Sequence, residues 1–227
     1  MVNQAESDGR TTRWTDHKVE RREQVLEAAV AEIAEQGSGV GVQQIAARAD
    51  IPRSAVYRIF TDRSDLDEQI RARIIDRLMS DLAPALTPQG TVEQAIARAV
   101  DTYLGWIVDA PRLHQFLRTG SATRRTVGSR VVTGTRTAIA VQLSDLLEAL
   151  LRNLGKDATA AESIAFGLIG LVDASVNRWL GSSTPTTTSD QLAAFLTTSI
   201  WQVLDGNLRR LDVTIDPATP LNLLSIS

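Results

Sequence analysis

Apolar residues along this 227-residue chain recur mostly three and four positions apart, the spacing that lines one face of an α-helix. Val25, Leu26, Ala29, Val30 and Ile33 form the first such stripe, with Thr15 or Asp16 as its N-cap and Gly37 as its stop. Shorter patterns predict helices over 42–49 and 53–60, on either side of Asp50, Ile51 and Pro52. Asp62 then caps a longer helix running to about Asp81, with Asp65 three residues in. Beyond the prolines at 84 and 88, Thr91 followed by Gln94 is a capping-box signature for a helix through about Asp109, and Pro111 opens another short one. A long amphipathic helix is expected to end near Asn153 and Leu154, stopped by Gly155. Two more are expected over 159–180 and 189–205, the latter opened by Thr188 with Gln191 three residues on. Residues 118–134, rich in Gly, Ser, Thr and Arg, read as a loop or a poorly patterned helix end. No segment alternates with period two for long enough to predict a strand, so the expected fold class is all-α.

Composition narrows the chemistry. A hydrophobic share of 43% is enough to build a packed core. There is no cysteine, and His17 and His114 are the only two histidines, which excludes disulfides, thiolate metal sites, a cysteine nucleophile and a multi-histidine metal centre. No metal and no cofactor is expected. The run from Ile164 to Val172 ends at Asp173 and is too short to span a bilayer. The polar start of the chain lacks the apolar stretch of a secretory signal, so a cytoplasmic location and no membrane partner are expected. A net charge of −3, from 24 basic and 27 acidic residues, argues against coating nucleic acid by bulk positive charge.

The informative stretch is 42–63, VQQIAARADIPRSAVYRIFTDR. Val42, Ile45, Ala46 and Ala49 on one short helix, and Ala55, Val56, Ile59 and Phe60 on the next, supply apolar faces for a pair packed at a steep angle across a tight turn. With these inward, Arg53, Ser54, Tyr57 and Arg58 are left outward on a second helix about 12 Å long at ~1.5 Å per residue, a size suited to a major groove.

This segment resembles the DNA-binding domain of the TetR family of transcriptional repressors. The family's Ile-Ala, its turn, its short recognition helix with a tyrosine and a closing phenylalanine, and the basic residue and leucine that follow stand here as Ile45-Ala46, Asp50-Ile51-Pro52, Tyr57, Phe60, Arg63 and Leu66. Four positions depart from the pattern: Asp50 for the turn glycine, Pro52 for the serine cap, Ile59 for a histidine and Arg63 for a lysine. The resemblance implies that Tyr57 and Arg63 bind phosphates, while Arg53, Ser54 and Arg58 face base edges or backbone. Gln43 and Gln44, at the start of the preceding helix, can add phosphate or base contacts. The alternative is that these arginines only solvate a surface helix. Arg10 and Arg13 lie in a polar arm that either touches DNA or stays disordered.

The same resemblance implies a helical remainder with a ligand pocket and a dimer interface. The expected organisation is a flexible arm over 1–15, a helix-turn-helix domain over 16–82, a larger helical ligand-binding and dimerisation domain over 83–211, and an extended tail over 212–227. The helices at 159–180 and 189–205 carry more apolar surface than one covered face requires, which suits either a four-helix interface between two subunits or burial within one. Tyr103, Trp106, His114, Phe116, Phe166, Asn177 and Trp179 are the candidate pocket residues, because aromatics and a few polar groups on apolar helices suit a small-molecule cavity. Each is equally a core residue on its own.

The expected function is a sequence-specific regulator that binds a palindromic double-stranded operator as a homodimer, as a repressor released by a small apolar or amphipathic effector. A ligand-dependent activator or a corepressor-type regulator is the alternative within the class. A helical small-molecule binding protein or enzyme without DNA binding is the alternative outside it, and the chain has no phosphate loop, nucleophile elbow or HExxH motif to support an enzyme. Locally, Arg48, Arg53, Arg58 and Arg63 oppose only Asp50 and Asp62, leaving a small positive footprint in a negative chain.

Overall fold

A computed structural model describes residues 5–85, 87, 89–120, 135–182 and 186–224; side chains are described from Val19 onward, except at Thr119, Gly120, Thr135, Arg136, Ala138, Leu223 and Leu224. Among the described residues the chain forms α1 (Ala5–Gln36), α2 (Val42–Arg48), α3 (Arg53–Ile59), α4 (Arg63–Leu82), α5 (Val92–Asp109), α6 (Pro111–Gly120), α7 (Thr135–Asn153), α8 (Ala161–Leu180), α9 (Ser189–Arg209) and a final 3-10 turn, Leu221–Leu224. No strand occurs among them beyond one isolated bridge between Thr91 and Pro220, so the all-α expectation holds.

The helices end where backbone chemistry stops them. Gly37 has φ +87° after α1 and Gly155 has φ +67° after α7, and in the left-handed region glycine has no Cβ to clash. At Gly155 the following amide, Lys156 N–H, reaches back to the Leu151 carbonyl at 2.8 Å, as in a Schellman stop. Both capping boxes form: Thr91 Oγ1 accepts the Gln94 amide at 3.2 Å while Gln94 Oε1 accepts Thr91 N–H at 3.0 Å. Thr188 and Gln191 do the same at 3.2 and 2.9 Å. The segment 121–134, expected as a loop, lies outside the described residues.

Contacts divide the chain into two compact units. The first holds α1 to α3, α4 as far as Asp76, and α6; the second holds the rest of α4, α5 and α7 to the C-terminal turn. The division differs from the single cut at 82 expected from the prolines, because α6 packs on α1. The arm expected over 1–15 also differs, since α1 already begins at Ala5.

In the first unit α1 is the spine. Val25, Ala29, Val30 and Ile33 are buried against helices that include α2, α3 and α6. Arg112 of α6 donates to the Glu35 carbonyl, and the Arg71 guanidinium lies 5.0 Å above the Phe116 ring.

In the second unit the pairs α7 with α8 and α5 with α9 pack together. Leu147, Leu151, Ala161, Ala165 and Leu208 form one apolar cluster, and Val100, Leu104, Ile107, Val176 and Leu196 form another. The segment after α9, expected as an extended tail, folds back onto the start of α5. Val213, Ile215 and Leu221 are buried, and the Val92 and Glu93 amides donate to the Thr219 and Pro217 carbonyls at 3.3 and 3.1 Å. Those first-turn amides lack partners within their own helix, which explains why a segment without helical periodicity packs there.

Candidate nucleic-acid interface and interior cavity

Helices α2 and α3 meet across a turn whose geometry follows from Asp50. With φ +51°, Asp50 occupies the left-handed position that usually needs glycine, and a short polar side chain tolerates it better than a branched one. The Asp50 and Ile51 amides donate to the Ala47 and Ala46 carbonyls at 3.1 and 3.0 Å, completing a Schellman stop for α2. Pro52, at φ −60° and ψ 141°, precedes α3, and its carbonyl accepts the Ala55 amide at 2.8 Å. The turn therefore forms despite the missing glycine and serine. Ile45, Ala46, Ala49, Ala55, Val56 and Phe60 are all at most 2% exposed, so the pair has its own apolar seam. Arg22 closes it from α1, with its guanidinium 5.2 Å from the Phe60 ring centre and Nε donating to Gln69 Oε1 at 2.7 Å.

With that seam buried, Arg53, Ser54, Tyr57 and Arg58 are exposed on one short helix, and Tyr57 is 45% exposed. Gln43 and Gln44 are also exposed at the start of α2. Gln44 is held within the fold, its Oε1 accepting the Gly41 amide at 2.8 Å and its Nε2 donating to Gln36 Oε1 at 2.8 Å. Gln43 remains the outward amide of the two. Arg63 is half-buried and donates from Nε to Asp67 Oδ1 at 2.8 Å.

The local charge count changes in the folded chain. Arg48 is turned back onto α1, donating to Glu32 at 2.8 Å and to both carboxylate oxygens of Glu35. The bonds from Arg48 hold the Glu35 carboxyl below its ordinary range, and the hydrogen bond to Glu35 pushes the Arg48 guanidinium up. With Arg48 committed there and Arg63 paired to Asp67, the cationic groups exposed on α3 are Arg53 and Arg58.

The second unit holds a partly open cavity of about 250 Å³ between α5, α7, α8 and α9, bordered by the end of α4 and the folded-back tail. Its wall is aliphatic, with Ile96, Ile139, Leu143, Leu147, Val172 and Leu204 among the lining residues; among the described residues, Tyr103 and Asp173 are the two lining residues with polar side-chain atoms. Of the seven residues expected around a pocket, Tyr103 is the one in this wall. Trp106 and Trp179 pack against the Val100 and Val176 cluster, and Trp179 Nε1 donates to the Thr187 carbonyl at 2.8 Å. His114 and Phe116 are buried on α6 in the first unit. Phe166 is 41% exposed on α8. Asn177 sits one turn after Asp173 and donates to its Oδ2 at 2.7 Å.

Asp173 is the cavity residue that sequence reasoning passed over. The signal for it was present: one acid interrupting an otherwise apolar run in α8. The aliphatic wall carried no separate signal, because a leucine lining a cavity and a leucine filling a core have the same periodicity. Among the described residues no cluster of His, Asp and Glu is arranged to hold a metal, and no helix is long and apolar enough to cross a membrane.

Comparison with known proteins agrees with this geometry. Residues 25–70 match the profile of bacterial regulatory proteins of the tetR family, a span that covers the end of α1, the α2–turn–α3 pair and the start of α4. An uncharacterised HTH-type transcriptional regulator of Mycobacterium tuberculosis is 26% identical over 201 residues, 88% of this chain and 84% of that protein. The HTH-type transcriptional activator FasR of Mycolicibacterium smegmatis is 27% identical over 168 residues, 73% and 75% of the two chains. The crystal structure of a TetR-like transcriptional regulator from a Rhodococcus species has the same fold, with a TM-score of 0.55 at 24% identity, over 82% of this chain and 96% of that one.

Proposed function

We propose that the chain is a TetR-type helix-turn-helix regulator of transcription that acts in the cytoplasm as a homodimer on a palindromic operator; the match of residues 25–70 to the tetR-family profile and the similarity to HTH-type regulators support this reading. Each subunit lays α3 in a major groove. Arg53 and Arg58 face base edges, where an arginine fork can distinguish guanine at about 1–3 kcal/mol per good pair. Ser54 adds a polar contact, and Tyr57, Arg63 and Gln43 hold the backbone and fix the register. The observation that carries this reading is the exposure of Arg53, Ser54, Tyr57 and Arg58 together on a helix whose opposite face is sealed by Ala55, Val56 and Phe60.

Two exposed faces support the dimer. Ser163, Gly167, Gly170 and Ala174 line one side of α8, and Ala194, Phe195, Thr198 and Gln202 line one side of α9. Small residues on one helix and a large apolar side chain, 53% exposed at Phe195, on the other suit a four-helix contact between copies. The cavity between α5, α7, α8 and α9 takes a small apolar or amphipathic effector. By binding the two conformations of the dimer unequally, the effector shifts the population away from the spacing that fits DNA, so the regulator is a repressor released by its ligand. A second reading, a ligand-dependent activator, is favoured by the similarity to a relative described as an activator.

Selection of operators from a random DNA library by the purified protein tests the core of the proposal: a palindromic consensus is expected, and no sequence-selective enrichment at moderate salt would refute it. In vitro transcription from the selected site, with and without effector, separates repressor from activator by sign.

A further inference from the structure

The segment after α9 reaches the cavity as well as the start of α5. Leu221 is buried and is one of the lining residues, and main-chain bonds fix its place. Its amide donates to the Gly90 carbonyl at 2.9 Å, the Thr219 carbonyl accepts the Val92 amide at 3.3 Å, and Pro220 bridges to Thr91. Upstream, Val213 and Ile215 belong to the apolar cluster around Leu147 and Ala165. Backbone hydrogen bonds are common to all residues but proline, so position 221 is held beside Val92 by contacts that do not use its side chain. Val92 is also where the α5 wall begins: it runs from Val92 to Tyr103, about 16 Å at ~1.5 Å per residue. A side chain at one end of a long apolar wall limits how far a ligand extends, whereas one midway limits its width. Leu143 and Leu147 line the cavity too, but they also pack in the cluster with Leu151 and Ala165, so changing them disturbs helix packing along with the cavity.

We propose that Leu221 sets the length of apolar chain that this cavity accepts, the tail acting as an end wall whose reach is decided by the side chain at 221. The proposal rests on reading the cavity as the effector site, and it adds the residue that determines size selectivity there.

Calorimetric titration of the full-length protein with straight-chain alcohols from hexanol to dodecanol, each below its solubility limit, tests this. Affinity is expected to rise about fourfold per methylene and to stop rising at the length that reaches residue 221. Leu221→Ala leaves space in the wall and is expected to move that limit about two carbons longer. Leu221→Phe fills space and is expected to move it about two carbons shorter. Limits displaced in opposite directions uphold the proposal, and displacement by Leu221→Phe alone upholds it if Leu221→Ala proves unfolded in a thermal melt. A series without a limit, a limit unchanged in folded Leu221→Phe, or an equal loss of affinity at every length overturns it while leaving the cavity reading intact. No binding of any alcohol by the unsubstituted protein overturns the cavity reading, and this proposal with it.

Discussion

The Arg53 guanidinium lies over the ring of Tyr57 one helical turn later, with Cζ 5.7 Å from the ring centre and Nη2 3.4 Å from the phenolic oxygen. If Arg53 contacts a base as proposed, this stacking would hold its side chain partly ordered beforehand and lower the ordering cost of the contact. Arg53→Ala is expected to weaken operator binding by about 1–3 kcal/mol and to relax the preference at one base position. Tyr57→Phe keeps the ring and removes the hydroxyl, so it should weaken all sequences evenly. Fluorescence anisotropy against the selected operator and its single-base variants reads both; unchanged base preference in both Arg53→Ala and Arg58→Ala would remove these residues from the recognition surface.

Salt sensitivity follows from the committed arginines. With Arg48 bound to Glu32 and Glu35, the cations among the described residues of α3 and the start of α4 that the proposed reading brings to DNA are Arg53, Arg58 and Arg63, three per subunit. A plot of log affinity against log salt should then have a slope no steeper than about −5 for a dimer, at ~0.9 per neutralised phosphate. A much steeper slope, measured between moderate and low salt, would mean that other basic residues reach the backbone.

Glu32 is 7% exposed, and its carboxylate accepts from Arg48 Nε at 2.8 Å and from Gln36 Nε2. Glu32→Ala removes the buried carboxylate that accepts from both Arg48 and Gln36, and the expected cost is about 1–3 kcal/mol. Urea unfolding measures the loss. If the helix-turn-helix is held to α1 by this bond, operator affinity falls with it, although Glu32 touches no DNA.

Asp65 caps α4, accepting Thr61 N–H at 2.8 Å and Gln69 Nε2 at 2.6 Å. The Thr61 amide first, and then the Gln69 side chain, hold its carboxyl below the ordinary 3.8. A depressed carboxyl stabilises the fold above the unfolded value and loses that contribution as pH falls through the folded value. Asp65→Asn should therefore cost a few tenths to about 1 kcal/mol near neutrality, the range for an acid in a first helical turn exposed to solvent screening. The gap to the unsubstituted protein should close as pH drops below 3.8. Denaturant titrations at several pH values check it, and a pH-independent gap would contradict the assignment.

Much of this fold was legible because its signals are local. The two capping boxes, the glycine stops and the six-residue seam of the helix-turn-helix are set by neighbours in sequence, so spacing alone predicted them. The start of α1 at Ala5 was not, because 5–15 carry no apolar stripe. Of the site, Arg53, Ser54, Tyr57 and Arg58 fell on the face that patterning left outward. The roles of Gln44 and Arg48 depend on Gln36, Glu32 and Glu35, residues brought close by folding. The cavity wall was hidden for a different reason: voids arise from imperfect packing among identical aliphatic side chains, and of the two polar lining residues Tyr103 was anticipated whereas Asp173 read as the end of an apolar run.

Phe195 tests the assembly. If α9 packs on a second copy as proposed, an exposed phenylalanine there should not tolerate charge, so Phe195→Glu is expected to yield a monomer in analytical ultracentrifugation and to reduce operator affinity at least tenfold, because one recognition helix would then read only a half-site. A stable dimer in that variant would move the interface elsewhere.

Because α6 returns to pack on α1 after α5 has been built into the other unit, neither unit is a continuous stretch of chain. A fragment ending at 82 would lack the bond from Arg112 to the Glu35 carbonyl and would uncover the apolar surface that Leu113, Phe116 and Leu117 bury against. The DNA-reading half is therefore not a graftable module. Exchanging it between relatives, in the laboratory or by recombination, takes two crossovers rather than one, and a chimera spliced only after α4 inherits an α6 fitted to a different α1.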